Sequence, residues 1–123
     1  MQNIDRVFVA MALVWLVIGM VFGFWMGATN SLQYVTTHVA MLLPGFTTFA
    51  IYGFIYRLWP ALKQAGLARA QLGIAAIAQI GIVVGSFQFI ANGSIAIIAP
   101  ASLAAIVAAL LMGWMFWQGS AEA

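Results

Sequence analysis

Four predominantly apolar runs, each around twenty residues or longer, leave this chain few ways to fold. A bilayer core about 30 Å thick is crossed by about 20 residues of apolar helix. The runs at 7–28, 34–59, 70–91 and 95–117 all meet that length. Strands are excluded, because a transmembrane strand is about half as long and shows period-two alternation that these runs lack. Of 123 residues only 5% are charged and 66% are apolar, against about a quarter charged in soluble domains. The expected class is therefore all-α, an integral membrane four-helix up-down unit forming a single domain over residues 1–123. The first run is too long for a signal peptide and lacks a clear small-x-small cleavage site, so it reads as a retained span.

The breaks between runs carry turn chemistry. Ala28-Thr29-Asn30-Ser31 and Asn92-Gly93-Ser94 are short polar turns. Trp59-Pro60 closes the second span, because proline lacks a backbone donor and disfavours helix just before it. The longest connection, 60–69, follows it. With four antiparallel spans, Asp5, Arg6, Arg57, Lys63, Arg69 and Glu122 all fall on one side, and the opposite loops carry no charge. The positive-inside rule then puts both termini in the cytoplasm. Arg57 is expected to snorkel outward from the end of span two. Trp25, Trp59, Trp114 and Trp117 lie near span ends as interfacial anchors, whereas Trp15 is mid-span and must be packed.

Composition also removes whole classes of function. Four basic residues cannot track a phosphate backbone, so nucleic acid is not a partner. No cysteine is present, which excludes disulfides and thiolate metal sites. The two acids stand at the chain ends, so neither paired carboxylates nor a Ser–His–Asp set can form, and an enzyme is disfavoured. An exporter driven by protons would want an intramembrane carboxylate, and none exists here.

Small residues recur every four positions: Gly19, Gly23 and Gly27 on span one, Gly81 and Gly85 on span three, and Ala101, Ala105, Ala109 and Gly113 on span four. Such stripes let helix backbones approach closely. Their first reading is packing within the chain, but three of them exceed the needs of one four-helix core and point toward a homo-oligomer. Gln79 and Ser86 share a face of span three and read as interhelical hydrogen bonding.

His38, the single histidine, lies four residues into span two, about 6 Å along the helix axis from its outer end. Ionisable groups inside spans are functional candidates, although an interfacial histidine can simply touch water. The same helical face carries Met41, Leu42, Gly45, Phe49, Tyr52 and Tyr56. Gly45 leaves a notch two turns below His38, walled by Met41, Leu42 and Phe49, where a flat group can approach. Tyr34, one turn above, is placed to hydrogen-bond the second imidazole nitrogen. Pro44 is expected to bend the helix beside the notch. One histidine beside a notch suits heme better than zinc, which wants three or four protein ligands.

The stretch at 38–60, HVAMLLPGFTTFAIYGFIYRLWP, resembles a heme-ligating helix of subunit I of the heme–copper oxidase superfamily, with its closest look to the bacterial nitric oxide reductases. The shared pattern is met by His38, Gly45-Phe46, Tyr52-Gly53, Tyr56 and Trp59-Pro60, over about a fifth of the chain. The resemblance implies a membrane cytochrome: heme b held by the iron ligand His38, serving electron transfer or the binding of O2 or NO, with a respiratory-chain partner. The family helix also holds a second histidine two positions on, where this chain has Ala40, and the copper-site histidines and proton-channel acids are missing, so gas reduction and pumping are not implied. The second axial group stays open among His38 of another subunit, Met41, Met26 or nothing. Subunit I is built of three similar four-helix arcs, so the resemblance implies a trimer ahead of a dimer. A cofactor-free accessory or assembly subunit of a respiratory complex is the alternative reading.

Overall fold

The computed structural model describes residues 2–122, with side chains to Gly119; Met1, Ala123 and the side chain of Glu122 lie outside that description. Helix α1 spans Ile4–Thr29. The second span begins as a 3-10 turn at Leu32–Tyr34, becomes helix α2 at Val35–Ala40, widens into π-helix over Met41–Thr47, and ends as α3 at Thr48–Leu58. A 3-10 segment at Pro60–Gln64 leads to α4 at Ala68–Asn92, and α5 runs over Ile98–Glu122. Four of these stretches, Ile4–Thr29, Leu32–Leu58, Ala68–Asn92 and Ile98–Gly119, are long and apolar enough to cross a membrane.

Local chemistry sets the ends. Asn30 stops α1 by taking a left-handed conformation (φ 54°), from which its N–H reaches the Met26 carbonyl. Gly93 does the same for α4 at φ 77°, donating to the Phe89 carbonyl. The fourth span starts at Ile98 and not at 95. Asn92 Oδ1 accepts from the Ser94 N–H and Ser94 Oγ from the Ala96 N–H, which turns the chain at 92–96 ahead of the helix. Pro100 then falls in the first turn, where its missing N–H costs nothing.

Neighbouring spans pack in sequence order: α1 along the second span, the second span against α4, and α4 against α5. The glycine stripes make two of these contacts. A methyl group at Gly19 would lie 2.6 Å from Leu42 Cδ2, and one at Gly81 2.7 Å from Ala101 Cβ. A methyl group at Gly85 would lie 2.6 Å from the backbone nitrogen of Ile98, so α4 and α5 approach closely there. Gly27 and Gly113 face open space.

Asp5 accepts from Lys63 Nζ at 3.1 Å and Arg57 Nη1 at 3.4 Å. Trp59 and Phe116 meet edge to face at 4.8 Å, and Gly119 packs on Leu62. The start of α1, the 57–63 region and the end of α5 therefore share one end of the molecule. The Arg57 side chain is 73% exposed, as snorkelling predicts, yet it is also tied to a buried carboxylate.

Candidate functional site

The polar residues of α4 form a ladder against its neighbours. Gln71 accepts from Tyr56 Oη at 3.2 Å and donates to the Ala108 carbonyl of α5 at 3.4 Å. Gln79 Nε2 donates to the Ala40 carbonyl at 2.8 Å, and Ser86 Oγ bonds Thr37 Oγ1 at 3.0 Å. All three side chains are buried. Reading down the second span from Thr37 to Tyr56 means reading up α4 from Ser86 to Gln71, which pins an antiparallel register. The expected interhelical role of Gln79 and Ser86 is met. Gln71 was not singled out from sequence, although its spacing of two turns from Gln79 places it on the same stripe.

Pro44 explains the Gln79 bond. It has no N–H to offer the Ala40 carbonyl in the α-helical pattern, so that carbonyl has capacity for a side-chain donor. The chain around Pro44 widens into π turns, which align the Gly45 N–H with the Ala40 carbonyl, and the Gln79 amide adds a second donor to it. Thr48 Oγ1 adds a bond to the Leu43 carbonyl at 3.2 Å.

The face of the second span that carries His38 is turned against α1. Met41 and Leu42 pack on Gly19, and Phe49 and Tyr52 meet Phe8 edge to face at 5.7 and 5.4 Å. Tyr56 stacks on Phe8 at 5.8 Å. The notch at Gly45 exists but is filled: a methyl group there would lie 2.7 Å from Gln79 Nε2 and 3.1 Å from Trp15. Gly45 therefore seats the protein's own side chains, and no porphyrin can enter beside it without displacing them. Tyr34 corrects a second expectation. Its ring stacks on Phe87 of α4 at 4.6 Å, nearly parallel at 5°, and it makes no hydrogen bond to His38 among the described residues.

His38 itself is half-buried, its ring laid against Gly23, where an added methyl would lie 2.7 Å from Cε1. Its Nδ1 is enclosed and has no hydrogen-bond partner among the described residues. The imidazole thus makes no hydrogen bond among the described residues, and Nε2, not the enclosed Nδ1, is the nitrogen that would be open to an iron. The surroundings do not fit a porphyrin within one protomer, since the notch is closed and His38 lines none of the principal cavities. A gap of about 250 Å3 between the second span, α4 and α5 is lined by Pro44, Gln79 and Ala105, and His38 is not among its lining residues. Met26 and Met41 are both buried. Among the described residues no three His, Cys, Asp or Glu stand together as a metal cage.

No family model, no curated protein and no solved structure matches the chain. The resemblance at 38–60 therefore stands on those residues alone.

Proposed function

We propose that this chain is a membrane b-type heme-binding protein in which His38 is an axial ligand, acting in electron transfer or in binding a small gas. The observation that carries the reading is an imidazole on a candidate membrane-spanning helix, half-buried against Gly23, that makes no hydrogen bond among the described residues; its Nδ1 is enclosed, so Nε2 is the nitrogen left for an iron. The resemblance of the second span to a helix of oxidase subunit I supports it. Heme b, when bound, supplies an iron that changes oxidation state or takes a diatomic ligand. The residues of this chain hold the imidazole: Gly23 gives the ring room, and the α1 contacts of Met41 and Leu42 keep the helix in place. Because the Gly45 notch is closed, the porphyrin belongs outside the packing of one protomer. Homo-oligomerisation, with a trimer ahead of a dimer, is thus part of the same proposal, as is a multi-pass placement in the bacterial inner membrane with both termini inside.

Absorption spectra of purified protein, oxidised, reduced, and reduced with carbon monoxide, test this directly. A sharp violet band that His38→Ala abolishes while helix content is retained is the expected result. A carbon monoxide shift would assign gas binding, and its absence six-coordinate electron transfer. Full heme in His38→Ala would refute the ligand assignment. Colourless wild-type protein would favour the second reading, a cofactor-free accessory subunit of a respiratory complex. The filled notch is the observation on that side.

A further inference from the structure

A groove of about 500 Å3 runs between α1 and α3 at the charged end of the molecule. Its walls are Val9, Ala10, Leu13 and Phe54, and its mouth is set by Arg6 and Arg57. Leu13 and Phe54 are more than half exposed, so the wall faces the surroundings and not the core. From Arg6 to Leu13 the groove follows α1 for about 10 Å. Gly53 lets α3 approach α1 beside it, since a methyl there would lie 2.6 Å from Val9 and 3.0 Å from the Asp5 carbonyl. The groove's lower end is cationic: Arg6 lines it, and Arg57 and Lys63 pair with the carboxylate of Asp5, which lines it too. Asp5 accepts from one Nη of Arg57, which fixes the side chain while leaving its other guanidinium donors unused.

We propose that this groove binds an anionic phospholipid, with the phosphate on Arg6 and Arg57 and an acyl chain along Val9, Ala10, Leu13 and Phe54. A cationic mouth at a span end, continuous with an apolar channel along the span, matches a lipid and not a soluble anion. Guanidinium groups take phosphate in paired hydrogen bonds. Positive residues at the cytoplasmic end of spans meet the leaflet rich in anionic lipid. The proposal rests on membrane insertion and is independent of heme.

Native mass spectrometry of the full chain, released from mild detergent with equal amounts of phosphatidylglycerol and phosphatidylethanolamine of identical chains, tests it. Phosphatidylglycerol should be retained at least fivefold over phosphatidylethanolamine. Arg6→Gln, at an exposed position, should lower that retention about fivefold, the effect of one cation near the bilayer surface. Ala10→Phe, also exposed, should block the channel and lower retention of both lipids. Equal retention of the two lipids would overturn the proposal, as would undiminished binding in either variant. Displacement of the lipid by inorganic phosphate at matched ionic strength would make this an ion site and overturn it as well.

Discussion

Gln79 and His38 are both polar side chains inside the second and third spans, and they differ in what they touch. Gln79 Nε2 serves a backbone carbonyl at 2.8 Å, although its Oε1 has no partner, while neither nitrogen of His38 is hydrogen-bonded among the described residues. The contrast separates a group that ties helices together from one that does not. Gly45 belongs with Gln79. Leucine there would collide with the Gln79 amide and Trp15, so Gly45→Leu should destabilise the protein by about 1–3 kcal/mol, the usual cost of overpacking. Thermal unfolding in detergent of protein prepared without heme checks this. An unchanged midpoint would mean that the notch is open. From sequence the position was legible as a small residue on the right face, but not as an occupied one. A missing side chain looks the same whether a cofactor or a neighbouring helix fills the gap.

The second span is the element whose form depends most on its neighbours. Pro44 withholds a donor from Ala40, the helix widens over Met41–Thr47, and α4 returns a donor through Gln79. These two features should be coupled. In the wild type, Gln79→Leu leaves the Ala40 carbonyl with only the longer-range backbone donor of the π turn and should cost about 1 kcal/mol, typical of interhelical bonds in membranes. In a Pro44→Ala background the restored N–H can serve that carbonyl, so the same substitution should cost measurably less. A double-mutant cycle by equilibrium unfolding reads the difference. Additive effects would show that Gln79 and Pro44 act separately.

For the molecule as a whole, the charged end and the uncharged end are distinct. Asp5, Arg57 and Lys63 are joined there by ion pairs, and the opposite turns at 29–31 and 92–94 carry no charge. Cysteines introduced at Asn30 and Gln64 should report opposite sides, with an impermeant thiol reagent outside intact cells labelling position 30 alone. Labelling only at 64 would invert the orientation. Oligomerisation is tested at the same scale. Gly27 and Gly113 face open space in the protomer, unlike Gly19, Gly23, Gly81 and Gly85, so surfaces for a further copy remain. Native mass spectrometry should give three chains; two chains sharing one heme would support a twofold clamp, and a stable heme-loaded monomer would exclude both arrangements.

The number, length and antiparallel order of the spans were legible in the sequence because they follow from one-dimensional quantities: apolar run length, turn residues and the side on which charges fall. The close helix contacts of Gly19, Gly23, Gly81 and Gly85 were legible for the same reason, since spacing along a helix fixes a face. What fills a face depends on the partner helix, and that needs the register between spans. Trp15 and Gln79 entering the Gly45 notch, Tyr34 stacking on Phe87 and turning away from His38, and Gln71 joining Tyr56 to Ala108 are contacts between residues from different spans. Only the tertiary structure decided them, because hydrophobicity drives each helix into the membrane equally well at any rotation, and it is packing and hydrogen bonding between helices that select one.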